Sequence, residues 1–329
     1  MMELILASTG SYPRVGEGGE KQRLRRAYAQ WEKGRLSEEE WRRVQDSVVK
    51  EVIQEQIKAG LDLVTDGQIR WYDPISHLAG KMEGVRIDGL LRFFDTNFYF
   101  RQPVITGKVG RLGPLIQDEF RFAKAVSSQP VKPVLTGPYT LARSSILKNS
   151  SQSFQELVLD FARVLSAEVA VLAREGAEVI QVDEPSILKV PTDFDLFQEA
   201  MALLAEKKGS STLALYTYFG DAAPLYEAFQ DLPVDILGFD FTYSPTLPRL
   251  IEEAGSEKVL GLGLIDGRNT KMETKEALFP LLERVLPKLP GPFAYLNPSC
   301  GLEYLPRDKA YEKLCRMKAL KEEFFGGRL

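Results

Sequence analysis

A thiol follows directly on a short apolar segment near the carboxyl end of this chain of 329 residues. The segment spans residues 293–296 and continues into Asn297-Pro298-Ser299 and then Cys300. Apolar runs of this length are typical of buried strands. A cysteine placed just after such a strand can bind a metal or stand beside a reacting group. The alternative is a small buried core residue, which is a common environment for a free cysteine.

Adjacent acidic residues follow a second apolar run. Residues 178–182 are followed by Asp183 and Glu184, and Pro185 comes next. The three residues can form a turn that simply ends the strand. Two carboxylates at the end of a buried strand nevertheless favour a functional role, since catalytic and binding residues concentrate at such ends in barrel enzymes.

Apolar runs of strand length alternate with segments of helical period along the whole chain. Two helical segments begin with a Ser that is followed three residues later by Glu, which is a capping-box pattern. The helical segments include 20–33, 38–59, 153–175 and 307–325. The predicted strands are 3–8, 61–65, 132–138, 178–182, 212–217, 235–239, 258–264 and 293–296.

Eight strands, each followed by helical sequence, predict an α/β fold of the TIM (β/α)8 barrel type. The strands show little polar alternation, as expected when both faces of a parallel sheet are covered. An open, doubly wound sheet is the structural alternative. Residues 86–109 alternate polar and apolar side chains and predict a β-hairpin inserted between strands two and three. Without a Pro-, Gly- or Ser-rich linker, we expect residues 1–329 to form a single domain.

In such a barrel the carboxyl ends of the strands hold the active site. Every predicted strand of this chain ends in a cluster of polar residues or glycine, which favours a site at that rim. The polar positions that we consider, one from each of six strands, are Ser11, Gln68, Asp183, Tyr218, Asp240 and Cys300.

Composition limits the partners of the protein. The net charge of −4 and the pI near 5.5 argue against binding to nucleic acid or to an anionic membrane. Two cysteines cannot form a disulfide framework, which fits a reducing compartment. The amino terminus lacks the basic region of a signal peptide, and no apolar window approaches the length of a membrane span. We therefore expect a cytoplasmic location and a small-molecule substrate.

Several strings of this sequence, in their order along the chain, resemble the motifs of the cobalamin-independent methionine synthases. Full-length members carry two related barrels, whereas this chain has the length of one, so it resembles the short, single-barrel members. The string from Phe94 to Tyr99 and the string from Asp266 to Asn269 are closer to the amino-terminal barrel. The cysteine-containing string is closer to the catalytic barrel. The motifs are Gly10-Ser11-Tyr12-Pro13-Arg14, Thr65-Asp66-Gly67, Leu135-Thr136-Gly137-Pro138, Asp183-Glu184-Pro185 and Asn297-Pro298-Ser299-Cys300-Gly301-Leu302.

The resemblance implies a methyl transfer from a carrier to the thiol of homocysteine or a related thiol. In the family, zinc held by His, Cys, Glu and Cys binds the thiol as thiolate, because coordination deprotonates a thiol outright. The methyl donor is a reduced folate, or a methylated corrinoid in members that lack the second barrel. A corrinoid protein or a paralogous barrel is then an expected partner.

The resemblance also assigns substrate-binding positions. Gly10 and Ser11 correspond to the donors that bind the amino-acid carboxylate, and Asp183 corresponds to the acid that binds the ammonium group. A family glutamate that shares this task falls on Gln68, which keeps hydrogen bonding and loses the charge. Tyr218 is expected to contact the substrate as well.

The zinc positions match unevenly. Cys300 corresponds to the last zinc cysteine and Asp240 to the zinc glutamate, so these two residues are the predicted catalytic and metal-binding pair. The zinc histidine falls on Tyr218, the first zinc cysteine on Gly220, and a folate-stacking tryptophan near Ser144. Two of four ligands are therefore replaced by residues that bind zinc poorly or not at all.

Two alternatives stay open at this stage. The chain is a methyltransferase, or it is a diverged, zinc-free barrel that acts on another substrate or serves as a binding or regulatory subunit beside an active paralogue. A zinc site would need help from Asp221, from His77, the only histidine, or from a partner chain. Without zinc, Arg14 or Arg70 could stabilise a thiolate as a nearby cation.

Overall fold

The structure is a computed structural model that describes residues 2–148 and 152–326. The strands in these ranges are β1 (Glu3–Leu6), β2 (Met82–Arg92), β3 (Tyr99–Arg111), β4 (Val134–Thr136), β5 (Ile146–Leu147), β6 (Val179–Asp183), β7 (Thr212–Thr217), β8 (Ile236–Asp240), β9 (Val259–Ile265) and β10 (Phe293–Pro298). The helices are α1 (Arg23–Trp31), α2 (Glu38–Lys58), α3 (Ser76–Ala79), α4 (Gln117–Val126), α5 (Pro138–Arg143), α6 (Phe154–Arg174), α7 (Phe194–Ala205), α8 (Tyr226–Gln230), α9 (Leu247–Ala254), α10 (Lys275–Val285) and α11 (Arg307–Gly326).

Seven parallel strands form one sheet in the order β1-β10-β9-β8-β7-β6-β4. The predicted second strand, residues 61–65, lies between the two edges of this sheet. It is bridged in parallel to β1 through Ala7 and Leu63, and to the residues before β4 through Val64 and Val131. The eight-stranded α/β barrel predicted from the sequence is therefore confirmed, with its second strand reduced to two bridges. The prediction of one domain over residues 1–329 stays a prediction.

The predicted hairpin is present and longer than the sequence indicated. Strands β2 and β3 pair antiparallel from Met82 to Arg111, where residues 86–109 were expected. The two-residue strand β5 adds to β3 in parallel and makes a separate three-stranded sheet. The loop of the hairpin, residues 93–98, contains Phe93, which reaches the mouth of the barrel.

The barrel interior and the space under the helices form separate apolar clusters. Tyr216 and Tyr295 are the largest buried side chains of the interior cluster, and the hydroxyl of Tyr216 lies 3.4 Å from Oδ1 of Asn297. Room for this ring comes from two neighbouring strands, because a Cβ atom at Gly238 or Gly261 would overlap the Tyr216 side chain. These two glycines are thus needed for packing inside the barrel.

A glutamine of the outer helical layer supports the weakly paired second strand. The side-chain amide of Gln56, on α2, donates to the carbonyl of Thr65 at 2.9 Å, and its Oε1 accepts from the amide of Thr65 at 3.0 Å. Both predicted capping boxes are confirmed, at Ser37 with Glu40 and at Ser153 with Glu156. In the described ranges, none of the helices combines the length and apolar character that crossing a membrane requires.

Candidate active site

A small cavity lies at the carboxyl ends of the barrel strands. It brings together all five residues predicted to bind substrate, although they come from four different strand ends. The hairpin loop and the loop after β10 supply the rest of the wall. The lining residues are Thr9, Gly10, Ser11, Gln68, Pro74, Phe93, Asp183, Tyr218, Gly301, Glu303 and Tyr304.

Asp183 is the last residue of β6, and its carboxylate faces the cavity. Oδ1 accepts a hydrogen bond of 2.6 Å from Nε2 of Gln181, and Oδ2 accepts one of 3.2 Å from the hydroxyl of Tyr218. Burial raises the pKa of Asp183 to about 7, against the opposing effect of these bonds and of the ammonium group of Lys132. A cationic ligand would therefore favour the ionised form of this acid.

The loop after β1 is held by residues of three other strand ends. Oγ1 of Thr65 donates to the carbonyl of Gly10 at 2.6 Å, and Nε2 of Gln181 donates to the carbonyl of Thr9 at 2.5 Å. The amide of Leu302 donates to the carbonyl of Ser11 at 2.9 Å. The loop carbonyls are thus used within the protein, which leaves the Ser11 hydroxyl at the cavity wall.

Left-handed backbone conformations concentrate around this cavity. In the described part of the chain, three non-glycine residues have positive φ angles: Gln68 (52°), Phe94 (50°) and Phe219 (64°). Gln68 lines the cavity, while Phe94 and Phe219 are adjacent in sequence to lining residues. Such conformations are costly for residues with a Cβ atom and are found most often at functional sites.

Aromatic side chains cover the mouth of the cavity. The ring of Phe219 packs edge-on against Phe93 at 6.2 Å and against Tyr304 at 5.7 Å, measured between ring centroids. Tyr304 also packs against Phe98 of the hairpin loop at 4.9 Å. Loops after β7, β10 and the hairpin therefore form one apolar cover that limits the access of water.

Cys300 lies beside the cavity rather than in its wall. The side chain is fully buried, and Sγ donates to the carbonyl of Gly301 at 3.4 Å. Burial, together with the carboxylates of Asp240 and Glu303, raises the pKa of the Cys300 thiol well above its usual value. A thiol with a raised pKa is a weaker nucleophile at neutral pH, because less of it is present as thiolate.

Asp240 is engaged in holding its own loop. Oδ1 accepts from the amide and the hydroxyl of Thr242 at 2.9 and 2.6 Å, and Oδ2 accepts from the amide of Phe219 at 3.4 Å. Burial raises the pKa of Asp240 to about 6. Both oxygens thus support the loops that carry Tyr218 and Phe219.

The residues present do not fit the zinc set of the family. Tyr218 directs its hydroxyl to Asp183, and a side chain at Gly220 would meet Cβ of Leu188 at 2.9 Å. Asp221 is exposed and caps the amide of Ala223. Across residues 2–148 and 152–326, no three His, Cys, Asp or Glu side chains lie close enough together to hold a metal ion. Cys300 and Asp240 therefore lack the further ligands that the zinc prediction required.

Two residues considered as helpers lie elsewhere. His77 stacks on Trp71 with 4.8 Å between ring centroids, and its Nε2 is 2.8 Å from Oε1 of Glu119. Arg70 pairs with Asp46 at 2.5 Å. Neither residue lines the cavity, so the expectations that His77 completes a metal site or that Arg70 stabilises a thiolate are not supported by this geometry.

Two charged residues near Asp183 were not among the sequence-based candidates. Lys132 is buried with its ammonium group 4.7 Å from the centre of the Tyr216 ring, and burial lowers its pKa to about 7. Glu303 lines the cavity, and burial raises its pKa to about 7. The available signals were a lysine within an apolar run and an acid three residues after Cys300.

Glu184, the second of the two adjacent acids after β6, has a structural role. The carboxylate of Glu184 is fully buried and accepts from the amides of Tyr139 and Thr140, both at 2.8 Å, at the start of α5. A Cβ atom at Gly137 would overlap this carboxylate. The Gly137-Pro138 motif is therefore explained by Glu184, which binds the first turn of the helix.

Comparison with known proteins identifies the class of this barrel. The chain matches the family described as cobalamin-independent synthase, catalytic domain, over residues 4–323. It resembles in fold a B12-independent methionine synthase from a Shewanella species, solved in complex with selenomethionine. The TM-score is 0.80 at 20% identity, covering 100% of this chain and 99% of that one. A putative vitamin-B12 independent methionine synthase from Listeria monocytogenes gives 0.74 at 17% identity, with 98% of both chains covered.

Curated relatives agree with this family. The methionine synthase of Saccharolobus solfataricus is 33% identical over 322 residues, covering 95% of this chain and 94% of that protein. The methionine synthase of Sulfurisphaera tokodaii is 32% identical over 330 residues, covering 97% and 94%. The chain therefore belongs to the cobalamin-independent methionine synthase family. It is a methyltransferase of methionine biosynthesis. Membership of this family favours a homocysteine methyltransferase function and does not favour the alternative of a regulatory subunit.

Proposed function

We propose that this enzyme transfers a methyl group from a reduced folate or a methylated corrinoid to the thiol of homocysteine or a closely related thiol. The observation that carries the proposal is the convergence of Gly10, Ser11, Gln68, Asp183 and Tyr218 on one cavity. These five residues are distant in sequence, and chance alone does not bring one complete set of predicted substrate contacts to a single wall.

The cavity offers a complementary group for each polar end of an amino acid. The Ser11 hydroxyl and the backbone around Gly10 bind the carboxylate, and Asp183 binds the ammonium group. Gln68 adds a hydrogen bond without charge. The selenomethionine complex of the Shewanella protein is in keeping with an amino-acid ligand for this fold.

The reaction is a displacement at the methyl carbon. The sulfur–carbon bond forms, the bond from the methyl carbon to the carrier breaks, and the carrier keeps the electron pair. The thiol proton is released. The residues present do not fit the zinc set of the family. Cys300 and Asp240 stand beside the position of the reacting sulfur, and Arg14 is the nearby cation on the side of Glu303.

Calorimetric titration with homocysteine and methionine tests the binding half of this proposal, and single-turnover assays with methyl-tetrahydrofolate and methylcobalamin test the transfer. We expect heat with both amino acids and methionine formation with one of the two carriers. Asp183→Asn is expected to abolish both signals, with Asp231→Asn, at an exposed surface position, as the matched control. Absence of heat at millimolar ligand would contradict an amino-acid substrate.

A further inference from the structure

One carboxylate oxygen of the cavity has no hydrogen-bond partner among the residues that the structure describes. This atom is Oε2 of Glu303, which is buried, although the residue as a whole keeps some solvent exposure. Glu303 lies in the loop between β10 and α11 and belongs to the cavity wall. An unpaired buried carboxylate oxygen is expensive, so it indicates a ligand that donates a hydrogen bond there.

The position of this oxygen is fixed relative to the substrate-binding loop. A Cβ atom built on Gly301 would overlap both Oε2 of Glu303 and Oγ of Ser11, so the two oxygens lie close together in the space that a side chain at Gly301 would occupy. Gly301 has no side chain, and this allows the Glu303 carboxylate to approach the loop after β1. The carboxylate thus faces the part of the cavity where the polar end of the ligand would lie.

The charges around Glu303 favour a cation in the cavity. The carboxylates of Asp183 and Glu303 are close enough that the negative charge of Glu303 raises the pKa of Asp183. Among the described residues that line the cavity, none is Lys or Arg. Lys132 lies behind Asp183 and Arg14 behind Glu303, and each only partly offsets the effect of burial. Two acids with no cation between them leave room for one positive group from the ligand.

We propose that Glu303 and Asp183 together bind the α-ammonium group of the amino-acid substrate, with Oε2 of Glu303 accepting one N–H bond. The assignment rests on the proposed function and deepens it, since it names the residue that selects for an amino group. It predicts that the enzyme discriminates against a ligand of the same length that lacks this group.

The test compares two ligands in three proteins by calorimetric titration. Methionine carries the ammonium group, and 4-(methylsulfanyl)butanoate has the same chain without it. For Glu303→Gln we expect methionine affinity to fall by about 10-fold or more, as is typical for loss of a charged hydrogen bond. Binding of the des-amino ligand should stay equal or improve. Glu312→Gln, an exposed change on α11, is the control and should leave both affinities unchanged.

The outcomes distinguish a failure of the Glu303 assignment from a failure of the proposed function. If wild-type protein binds methionine and Glu303→Gln binds it equally well, the assignment of Glu303 is overturned and the proposed function stands. An equal loss for both ligands in Glu303→Gln shows a structural role and also overturns the assignment. Failure of the wild type to bind methionine overturns the proposed function itself. Thermal unfolding of the variant, compared with wild type, confirms that the folded protein was titrated.

Discussion

The hydroxyl of Tyr218 donates a hydrogen bond of 3.2 Å to the carboxylate of Asp183 within the substrate cavity. Tyr218 occupies the position that the resemblance assigns to a zinc histidine. Its polar atom is thus committed to the acid that we expect to bind the substrate ammonium group. We therefore expect this position to serve substrate binding in this chain, whereas the zinc histidine implied by the resemblance would serve thiol activation.

Removing that hydroxyl should shift the pH dependence of ligand binding. The bond from Tyr218 lowers the pKa of Asp183, so Tyr218→Phe raises it further above about 7. Less Asp183 is then ionised at neutral pH, and methionine binds more weakly. We expect the midpoint of a plot of affinity against pH, from about 6 to 9, to move upward. Tyr311→Phe, on the outer helix α11, should leave the profile unchanged.

The buried carboxyl group of Asp183 should also lower the free energy of unfolding of the protein above neutral pH. Burial raises its pKa from 3.8 to about 7. Between those values the folded chain keeps a proton that the unfolded chain has lost, so the free energy of unfolding falls as the pH rises. Asp183→Asn removes this fall. Its free energy of unfolding should exceed that of wild type by on the order of 2 kcal/mol at pH about 8, and by a smaller amount at pH about 5.

Urea denaturation at the two pH values measures this difference. Buried titratable groups that do not interact with Asp183 are present in both proteins, so their contributions cancel in the comparison. Lys132 and Glu303 do interact with Asp183, so the measured difference includes the change in their own titration. An equal effect of Asp183→Asn at both pH values would show that the carboxyl is not titrating between them. Asp231→Asn is the matched control here as well, because this residue is exposed.

A zinc site should require more than the two missing ligands. Tyr218→His with Gly220→Cys supplies the family residues, but Leu188 lies 2.9 Å from the added Cβ atom. We expect this double variant to bind zinc poorly. The triple variant with Leu188→Gly, which removes the clashing Cβ atom, should approach one zinc per chain, measured by elemental analysis after dialysis. Wild-type protein should stay well below that value. Near-stoichiometric zinc in the wild type would contradict our interpretation of the site.

The Gly137 position provides a stability prediction. Gly137→Ala places a methyl group on the Glu184 carboxylate that binds the first turn of α5. Overpacking of this kind costs about 1 to 3 kcal/mol, so the variant should unfold at lower urea concentration. Gly113→Ala, at a glycine with open space around it, should change stability by only a few tenths of a kcal/mol.

The sequence predicts most of the barrel because its signals are local. Apolar runs identify β6 to β10 within about two residues, and capping boxes place α2 and α6. The second strand is different, since it is bridged at only two positions and depends on Gln56 for support. The short β5 has too few residues for a pattern to appear, and it exists because β3 provides an edge.

The site was predictable to the extent that parallel strands place their carboxyl ends at one rim. That rule brought Ser11, Gln68, Asp183 and Tyr218 together correctly. The rule could not distinguish residues that line the cavity from residues that lie behind its wall. Asp240 and Cys300 were predicted at the site, and they lie beside the cavity. Glu303 depends on the absence of a side chain at Gly301 and on the course of a loop, neither of which has a periodic signal.

The bonds from Gln56 to Thr65 have a consequence for how this family can vary. A side chain from the outer layer satisfies the backbone at the point where the chain leaves the sheet, and the next residues are then free to turn so that Gln68 adopts its left-handed conformation. Residue 56 therefore supports the backbone from which Gln68 reaches the cavity, and we expect homologues that exchange it to carry altered sequences at positions 65–68.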